Sequence, residues 1–133
     1  MNTNNTILTI LGMQNIAVVG MSPNNQRPSH RIGTYLLEQG YTVIPVNPGH
    51  DMILGLKSYP GLSDIPQPID VVDVFRRGEL CLPIAEEAVR IGAKALWLQE
   101  GVINEDAVKF ATDHGLLAVQ DRCILKEHIK LEK

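Results

Sequence analysis

The chain has 133 residues and a formal net charge of −3, and aromatic residues make up only 5% of it. This length is typical of one domain that buries enough surface to fold without disulfides or metals. A mildly acidic chain with few aromatic rings lacks the basic face and stacking platforms of a nucleic-acid surface. No apolar run approaches the roughly 18 residues that a membrane span requires. The composition therefore predicts neither a nucleic-acid partner nor a membrane partner.

The number and spacing of the cysteines indicate the redox state of the cellular compartment. Cys81 and Cys123 are far apart, show no CxxC spacing and are too few for a secreted disulfide scaffold. The segment "MNTNNTILTI" at the start has no basic residue ahead of an apolar run, so it does not resemble a secretion signal. These features predict a reducing compartment, and we expect the protein to be cytoplasmic.

Five short apolar runs, rich in valine and isoleucine, recur along the chain. They are "IAVV" (16–19), "YTVIPV" (41–46), "VVDVF" (71–75), "KALWL" (94–98) and "LLAV" (116–119). Such runs are typical of parallel strands that are buried on both faces. Residues 48–70 are the least regular part, since proline and glycine recur there, and only a short strand around "GLKSY" is predicted.

Amphipathic segments separate these strands. After the first strand, apolar residues at helical spacing follow Ser29, which we expect to be the N-cap. The segment 81–91 has the same spacing and ends before Gly92, and a third helix is expected over 104–114, starting at Asn104. Strands that alternate with helices over short connections predict an α/β fold. We expect a single doubly wound, mainly parallel sheet with helices on both faces.

The loop after the first strand, "GMSPNNQRPSH", stands where such folds hold a phosphate group. Gly20 keeps the tight turn, but Ser22 replaces the second glycine of the usual pattern. Arg27 and Ser29 supply charge and side-chain donors instead, and a guanidinium can form two hydrogen bonds to one phosphate. The sequence therefore predicts a phosphate-binding loop, and the alternative is a solvated Ser-Pro turn.

The end of the second strand bears on which nucleotide binds. Sites that select NAD place an acidic residue there to hold the ribose 2′-hydroxyl, whereas this chain reads "VIPVNPGHD" with Asn47 and Pro48 at that place. NAD is disfavoured by this pattern without being excluded.

Cations and glycine follow other strands. "VFRR" provides an aromatic face at Phe75 for an adenine ring and guanidinium groups at Arg76 and Arg77 for phosphates. The alternative is that Phe75 is the last core residue and both arginines are solvated. Lys57 is either a phosphate contact or a surface lysine, and Gly101 allows a tight turn beside a ligand.

Catalytic patterns are not evident. The four histidines show no HExxH spacing, and the chain has no GxSxG elbow and no GxxxxGK[ST] loop. In "QDRC", Asp121 and Arg122 are typical of an architectural pair and Cys123 of a packed small side chain. We predict no catalytic and no metal-binding residue, and the roles of these three residues stay open.

Five stretches in the same order resemble the stand-alone CoA-binding protein family over about residues 12–131. They read "VVGMSPNNQRPSHRIGTYLLEQGYTVIPVNP", "GLKSY", "IDVVDVFRR", "GAKALWLQEGV" and "DRC". The family is similar to the CoA-binding domain of succinyl-CoA synthetase α subunits and of ADP-forming acyl-CoA synthetases. The resemblance implies a Rossmann-like fold over the single domain 1–133 and coenzyme A or an acyl-CoA as the ligand.

The resemblance also implies roles for particular residues. The first loop would surround the CoA phosphates, Asn47-Pro48 with Lys57 would flank the adenosine 3′-phosphate, and "FRR" would border the adenine and diphosphate. The predicted cofactor-binding residues are Gly20, Ser22, Arg27, Pro28, Ser29, Asn47, Pro48, Lys57, Phe75, Arg76, Arg77 and Gly101.

Taken together, these observations lead us to expect a CoA-binding module without catalytic machinery of its own, with the thiol arm toward residues 99–102. The alternatives are an NAD(H)-responsive regulatory module and an accessory subunit of an acyl-CoA-metabolising enzyme. Complete ligase activity is not expected, because the motifs include neither an ATP-grasp domain nor one with a phosphorylated histidine. The acyl group, any reaction, and the choice between a protein partner and a homodimer stay open.

Overall fold

A five-stranded parallel sheet forms the centre of the molecule in the computed structural model, which describes residues 2–131. A separate antiparallel hairpin follows the second strand. The strands are β1 (Asn15–Val19), β2 (Thr42–Val46), β3 (Met52–Ile53), β4 (Leu56–Lys57), β5 (Val71–Val74), β6 (Ala95–Leu98) and β7 (Leu117–Val119). The order in the main sheet is β2-β1-β5-β6-β7, and β3 pairs with β4 in the hairpin. The five predicted strands are confirmed, with ends that differ by at most one residue.

Helices cover both faces of the sheet. They are α1 (Asn4–Leu11), α2 (Pro28–Glu38), α3 (Cys81–Arg90), α4 (Glu105–Asp113) and α5 (Ile124–Leu131), with short 3-10 helices at Leu62–Asp64 and Gly78–Leu80. Apolar residues of α1, α2 and α5 pack on one face of the sheet, and those of α3 and α4 pack on the other. The predicted α/β fold with helices on both faces is thereby confirmed. Along residues 2–131, no helix combines the length and the apolar character needed to span a membrane.

Two helices were missed by the sequence analysis, α1 and α5, each of eight described residues. Helices this short are marginal on local propensity alone, and tertiary packing supplies most of their stability. In α1, Ile7 and Ile10 are buried against the sheet, and Thr3 caps the helix by accepting a hydrogen bond from Thr6 N at 3.2 Å. The spacing of these apolar residues was the signal that could have revealed α1.

The start of α2 corrects one expectation. Arg27 is the N-cap and Pro28 is the first helical residue, so the prediction that Ser29 caps this helix is wrong. Proline suits the first helical position because its fixed φ is already helical and it needs no donor there. Ser29 lies in the first turn instead, and its Oγ accepts a hydrogen bond from Ser22 N at 2.9 Å. The side chain therefore fastens the preceding loop to the helix.

Asp73 is an unusual residue in the core. It lies in the central strand β5 between Val18 of β1 and Trp97 of β6, and it is completely buried. Neither carboxylate oxygen has a hydrogen-bond partner in the described part of the chain. Burial raises the pKa of Asp73 well above its ordinary value, since a low-dielectric interior disfavours the charged form. Burial therefore favours the neutral form of Asp73 in the folded protein.

Candidate functional site

A cleft of about 840 Å³ opens at the carboxyl ends of β1, β5 and β6. The chain passes from β1 to β2 on one side of β1 and then to β5 on its other side, so this cleft lies at the switch point of the sheet, where such folds bind ligands. The lining residues are Gly20, Ser22, Arg27, Pro28, Ser29, Ile32, Phe75, Arg76, Arg77, Gln99, Glu100, Gly101, Val102 and Cys123. Nine of the twelve residues predicted from the sequence are among them.

The loop that follows β1 is ordered by its own polar side chains. Ser22 Oγ accepts from Asn24 N at 3.0 Å, and Asn24 Oδ1 accepts from Gln26 N at 2.9 Å. Because Ser22 Oγ and Ser29 Oγ each accept a backbone hydrogen bond, each hydroxyl keeps its own proton as a donor. Pro28 and Ser29, the first residues of α2, line the cleft, so the positive end of the helix dipole lies beside it. Serine hydroxyls and a helix N-terminus together suit an anion.

Gly20 allows the ends of β1 and β5 to approach closely. Its φ is +85°, and a Cβ atom at this position would lie 2.8 Å from the carbonyl oxygen of Phe75. Gly20 N also donates to Val46 O at 2.9 Å, which ties the turn to β2. Both the positive φ and the lack of space for a Cβ atom require glycine at this position. These requirements hold whether or not the backbone of Gly20 also contacts a ligand.

Three guanidinium groups border the cleft on an otherwise acidic chain. Arg77 Nε lies 3.4 Å from Glu79 Oε1, and both side chains are largely exposed. Within residues 2–131, neither Arg27 nor Arg76 forms an ion pair, and both are exposed. Two of the three guanidinium groups are therefore available to an anionic ligand.

The other end of the cleft is held by contacts between the loops after β6 and β7. Gly101 has φ +86°, and its N donates to Asp121 Oδ1 at 2.8 Å. Asp121 itself has φ +58° and donates its backbone N–H to Val102 O at 3.2 Å. Asp121 thus positions the loop that carries Gly101, which gives a structural role to a residue whose role the sequence left open.

Gln99 and Cys123 were not among the twelve predicted cofactor-binding residues, although the thiol arm was expected to extend toward residues 99–102. Gln99 is only 4% exposed, and its Oε1 accepts from Ile124 N at 3.2 Å, which fastens the start of α5 to the end of β6. Cys123 is partly exposed and lines the cleft just before Ile124. The signal for both was their place after a strand, because the carboxyl ends of parallel strands meet at one edge.

Three predicted residues do not line the cleft. Asn47 donates from Nδ2 to Met21 O at 2.9 Å and accepts at Oδ1 from Gly49 N at 2.8 Å, so its amide holds the first loop and its own turn. Pro48 is exposed beside it. Lys57 lies on β4 with its Nζ 5.2 Å from the centroid of the Tyr59 ring. Their contact with a ligand stays a prediction.

Ion pairs and hydrogen bonds also occur at the end of the cleft that is formed by the loop after β6. Glu100 Oε1 lies 2.9 Å from Lys126 Nζ, and the hydrogen bond and charge of Glu100 raise the pKa of Lys126. Among the described residues, no group of three or more His, Cys, Asp or Glu side chains could hold a metal ion.

A five-stranded parallel sheet with helices on both faces and a cleft at its switch point defines a Rossmann-like α/β domain. Comparison with known proteins narrows this class. A family model described as "CoA binding domain" matches residues 14–129, and this chain belongs to that family. The resemblance noted from the sequence is thereby confirmed.

Individual relatives agree with this assignment. The chain is 41% identical to the protein YneT of Bacillus subtilis over 113 residues, which cover 85% of this chain and 84% of YneT. Among solved structures, a hypothetical protein from Pyrococcus horikoshii OT3 is similar with a TM-score of 0.93 and 40% identity, covering 98% of this chain and 93% of the other. Acetate–CoA ligase (ADP-forming) II of Archaeoglobus fulgidus is 29% identical over 100 residues, 74% of this chain but 15% of the ligase.

Proposed function

We propose that this protein binds coenzyme A or an acyl-CoA in the cleft at the carboxyl edge of its sheet, without catalytic machinery of its own. One observation carries the proposal. The cleft brings the loop after β1 together with Arg76 and Arg77, in a chain whose match to the CoA-binding family spans residues 14–129.

The charges of the cleft support a ligand with several phosphate groups. Coenzyme A carries a diphosphate and a 3′-phosphate, and charge-assisted hydrogen bonds from arginine are the strong contacts to such groups. Arg27 stands at the N-cap of α2, and Arg76 follows β5, so two cations approach the cleft from different elements. In this proposal the diphosphate binds between them, with the hydroxyls of Ser22 and Ser29 as further donors.

The residues along the cleft support one orientation of the bound ligand. Phe75 offers an apolar face beside the arginines for the adenine ring. Gln99 and the loop from Glu100 to Val102 line the part beyond β6, where the pantetheine arm would extend. Gly101 keeps that loop close to the cleft without a side chain in the way.

Asn47 supports coenzyme A over NAD. It stands at the end of β2, where NAD-selective sites have a carboxylate for the ribose 2′-hydroxyl. Its amide is engaged on both sides by backbone groups of Met21 and Gly49. An uncharged side chain that is already hydrogen-bonded provides little selection for a ribose diol.

Titration calorimetry tests the proposal with CoA, acetyl-CoA, dephospho-CoA and NAD. We expect CoA and acetyl-CoA to bind more tightly than NAD, and Arg76→Gln to weaken CoA binding about 10- to 100-fold, as expected for loss of a charged hydrogen bond. Arg90→Gln is the matched control, because Arg90 is exposed at the end of α3 and does not line the cleft. Preference for NAD, or equal effects of the two substitutions, would contradict the proposal.

A further inference from the structure

Two large apolar side chains are exposed beside the end of the cleft to which we assign the pantetheine arm. Ile103 directly follows Val102, which lines the cleft, and Ile103 is 54% exposed. Leu80 lies three residues after Arg77, another lining residue, and is 40% exposed. Exposed apolar surface that adjoins a ligand cleft is available to an apolar part of the ligand.

The two segments that carry these side chains are in direct contact. Gly78 lies so close to the backbone of Ile103 that a Cβ atom on Gly78 would be 2.3 Å from the carbonyl oxygen of Ile103. Asn104 Nδ2 also donates to Gly78 O at 2.7 Å. Leu80 ends the short 3-10 helix that Gly78 begins, and such a helix rises only about 2 Å per residue. Leu80 and Ile103 therefore belong to one surface, which we call the apolar patch.

The patch is held in place by backbone and capping contacts. Asn104 is the N-cap of α4, and its Oδ1 accepts a hydrogen bond from Ala107 N at 2.9 Å. An apolar residue just before an N-cap often packs against the first turns of its helix. More than half of Ile103 stays exposed even so. The capping interaction therefore fixes the backbone at Ile103 and leaves apolar surface free for a ligand.

The size and the charge of the patch favour a small uncharged group. Specific protein interfaces use about 20–30 residues on each side, far more than two side chains. Glu79, beside Leu80, pairs with Arg77 at 3.4 Å, and Glu100, on the neighbouring loop, pairs with Lys126 at 2.9 Å. These two carboxylates therefore bring no unpaired negative charge to the patch. A hydrocarbon chain matches both properties.

We propose that the apolar patch binds the acyl chain of an acyl-CoA, so that the ligand class of this cleft is acyl-CoA with a short, uncharged, linear chain. This inference rests on the proposed function, because the nucleotide and the pantetheine arm must lie in the cleft for the acyl chain to reach Leu80 and Ile103. Each methylene that is buried on the patch should increase affinity about two- to fourfold.

Titration calorimetry of the wild type with CoA, acetyl-CoA, butyryl-CoA and hexanoyl-CoA tests the inference without any variant. We expect affinity to rise with chain length, by at least about tenfold from acetyl-CoA to hexanoyl-CoA. Glutaryl-CoA, whose chain ends in a carboxylate, should gain much less, because its charge would lose water on apolar surface. Equal affinities for acetyl-CoA and hexanoyl-CoA, or equal affinities for hexanoyl-CoA and glutaryl-CoA, would overturn the inference.

Substitutions locate the acyl chain. Leu80→Gln and Ile103→Ser should each lower the ratio of hexanoyl-CoA affinity to CoA affinity by at least about threefold. Leu8→Gln is the matched control, because Leu8 is also an exposed leucine but lies on α1 and does not line the cleft, and its ratio should equal that of the wild type. A ratio that stays unchanged in both patch variants would overturn the placement of the chain.

The same titrations separate failure of this inference from failure of the proposed function. If the wild type binds CoA and every acyl-CoA alike, the acyl site is wrong and CoA binding stands. If the wild type binds none of them, the proposed function itself is wrong. Sedimentation of the wild type and Leu80→Gln adds a further test, since a dimer that dissociates only in the variant would assign the patch to a second copy of the chain and overturn the inference.

Discussion

The substitution Asp73→Asn tests the most unusual feature of the core. Asp73 is completely buried between Val18 and Trp97, and neither of its oxygens has a hydrogen-bond partner in the part of the chain that the structure describes. Burial raises its pKa well above the ordinary value of 3.8. Between pH 3.8 and the raised pKa of the folded state, Asp73 is ionised in the unfolded chain and keeps its proton in the folded chain. The unfolded state then binds fewer protons, so the free energy of unfolding falls as pH rises.

The expected magnitude follows from proton linkage. The contribution of Asp73 is lost at about 1.4 kcal/mol per pH unit, from its unfolded pKa up to its folded pKa. Asp73→Asn has nearly the same shape and cannot ionise, so this slope should vanish and the variant should become more stable than the wild type as pH rises. Urea unfolding followed by the fluorescence of the single Trp97, at about pH 5, 6 and 7, measures the difference.

Asp70→Asn is a control, because the pKa of Asp70 is shifted in the opposite direction to that of Asp73. Burial alone raises the pKa of Asp70, but backbone donors from Asn15 and Gln14, with Lys94, outweigh it and lower the pKa. The ionised Asp70 therefore stabilises the fold above its ordinary pKa, and this stabilisation is lost as pH falls through the folded pKa. Asp70→Asn should lower the free energy of unfolding by about 1.5–3 kcal/mol at neutral pH. Equal pH slopes for the wild type and Asp73→Asn would refute the assignment of a neutral Asp73.

Three further predictions concern the cleft and its rim. Gly20→Ala should destabilise the fold by more than Gly115→Ala in urea unfolding. Both glycines have positive φ, which costs about 1–2 kcal/mol, but only at Gly20 would the new Cβ meet a backbone atom. Glu100→Gln should leave the urea midpoint of unfolding nearly unchanged, because an ion pair between two exposed side chains contributes little to stability, and a large decrease would contradict this expectation. Lys57→Ala should remove most of the difference in affinity between CoA and dephospho-CoA, about 1.5–3 kcal/mol, and an unchanged ratio would show that Lys57 serves only the hairpin.

The sequence by itself determined the strands and the first loop. Runs of valine and isoleucine indicate the strands by local pattern, because a strand buried on both faces is apolar at nearly every position, with Asp73 of β5 as an exception. Gly20 and the serines and arginine after it mark a strand-to-helix turn, whose place in the fold follows from chain order alone. Neither inference needs knowledge of which strands are neighbours.

Tertiary structure decided which side chains meet. The helices α1 and α5 form because the sheet offers them an apolar face, which their short sequences could not show. Gln99 and Cys123 share a cleft because β6 and β7 are adjacent in the sheet, although 24 positions of chain separate them. Asn47 turns to the first loop, and Asp73 is enclosed by two neighbouring strands. These contacts depend on which distant segments of the chain pair with one another, and that pairing cannot be predicted from a local sequence pattern.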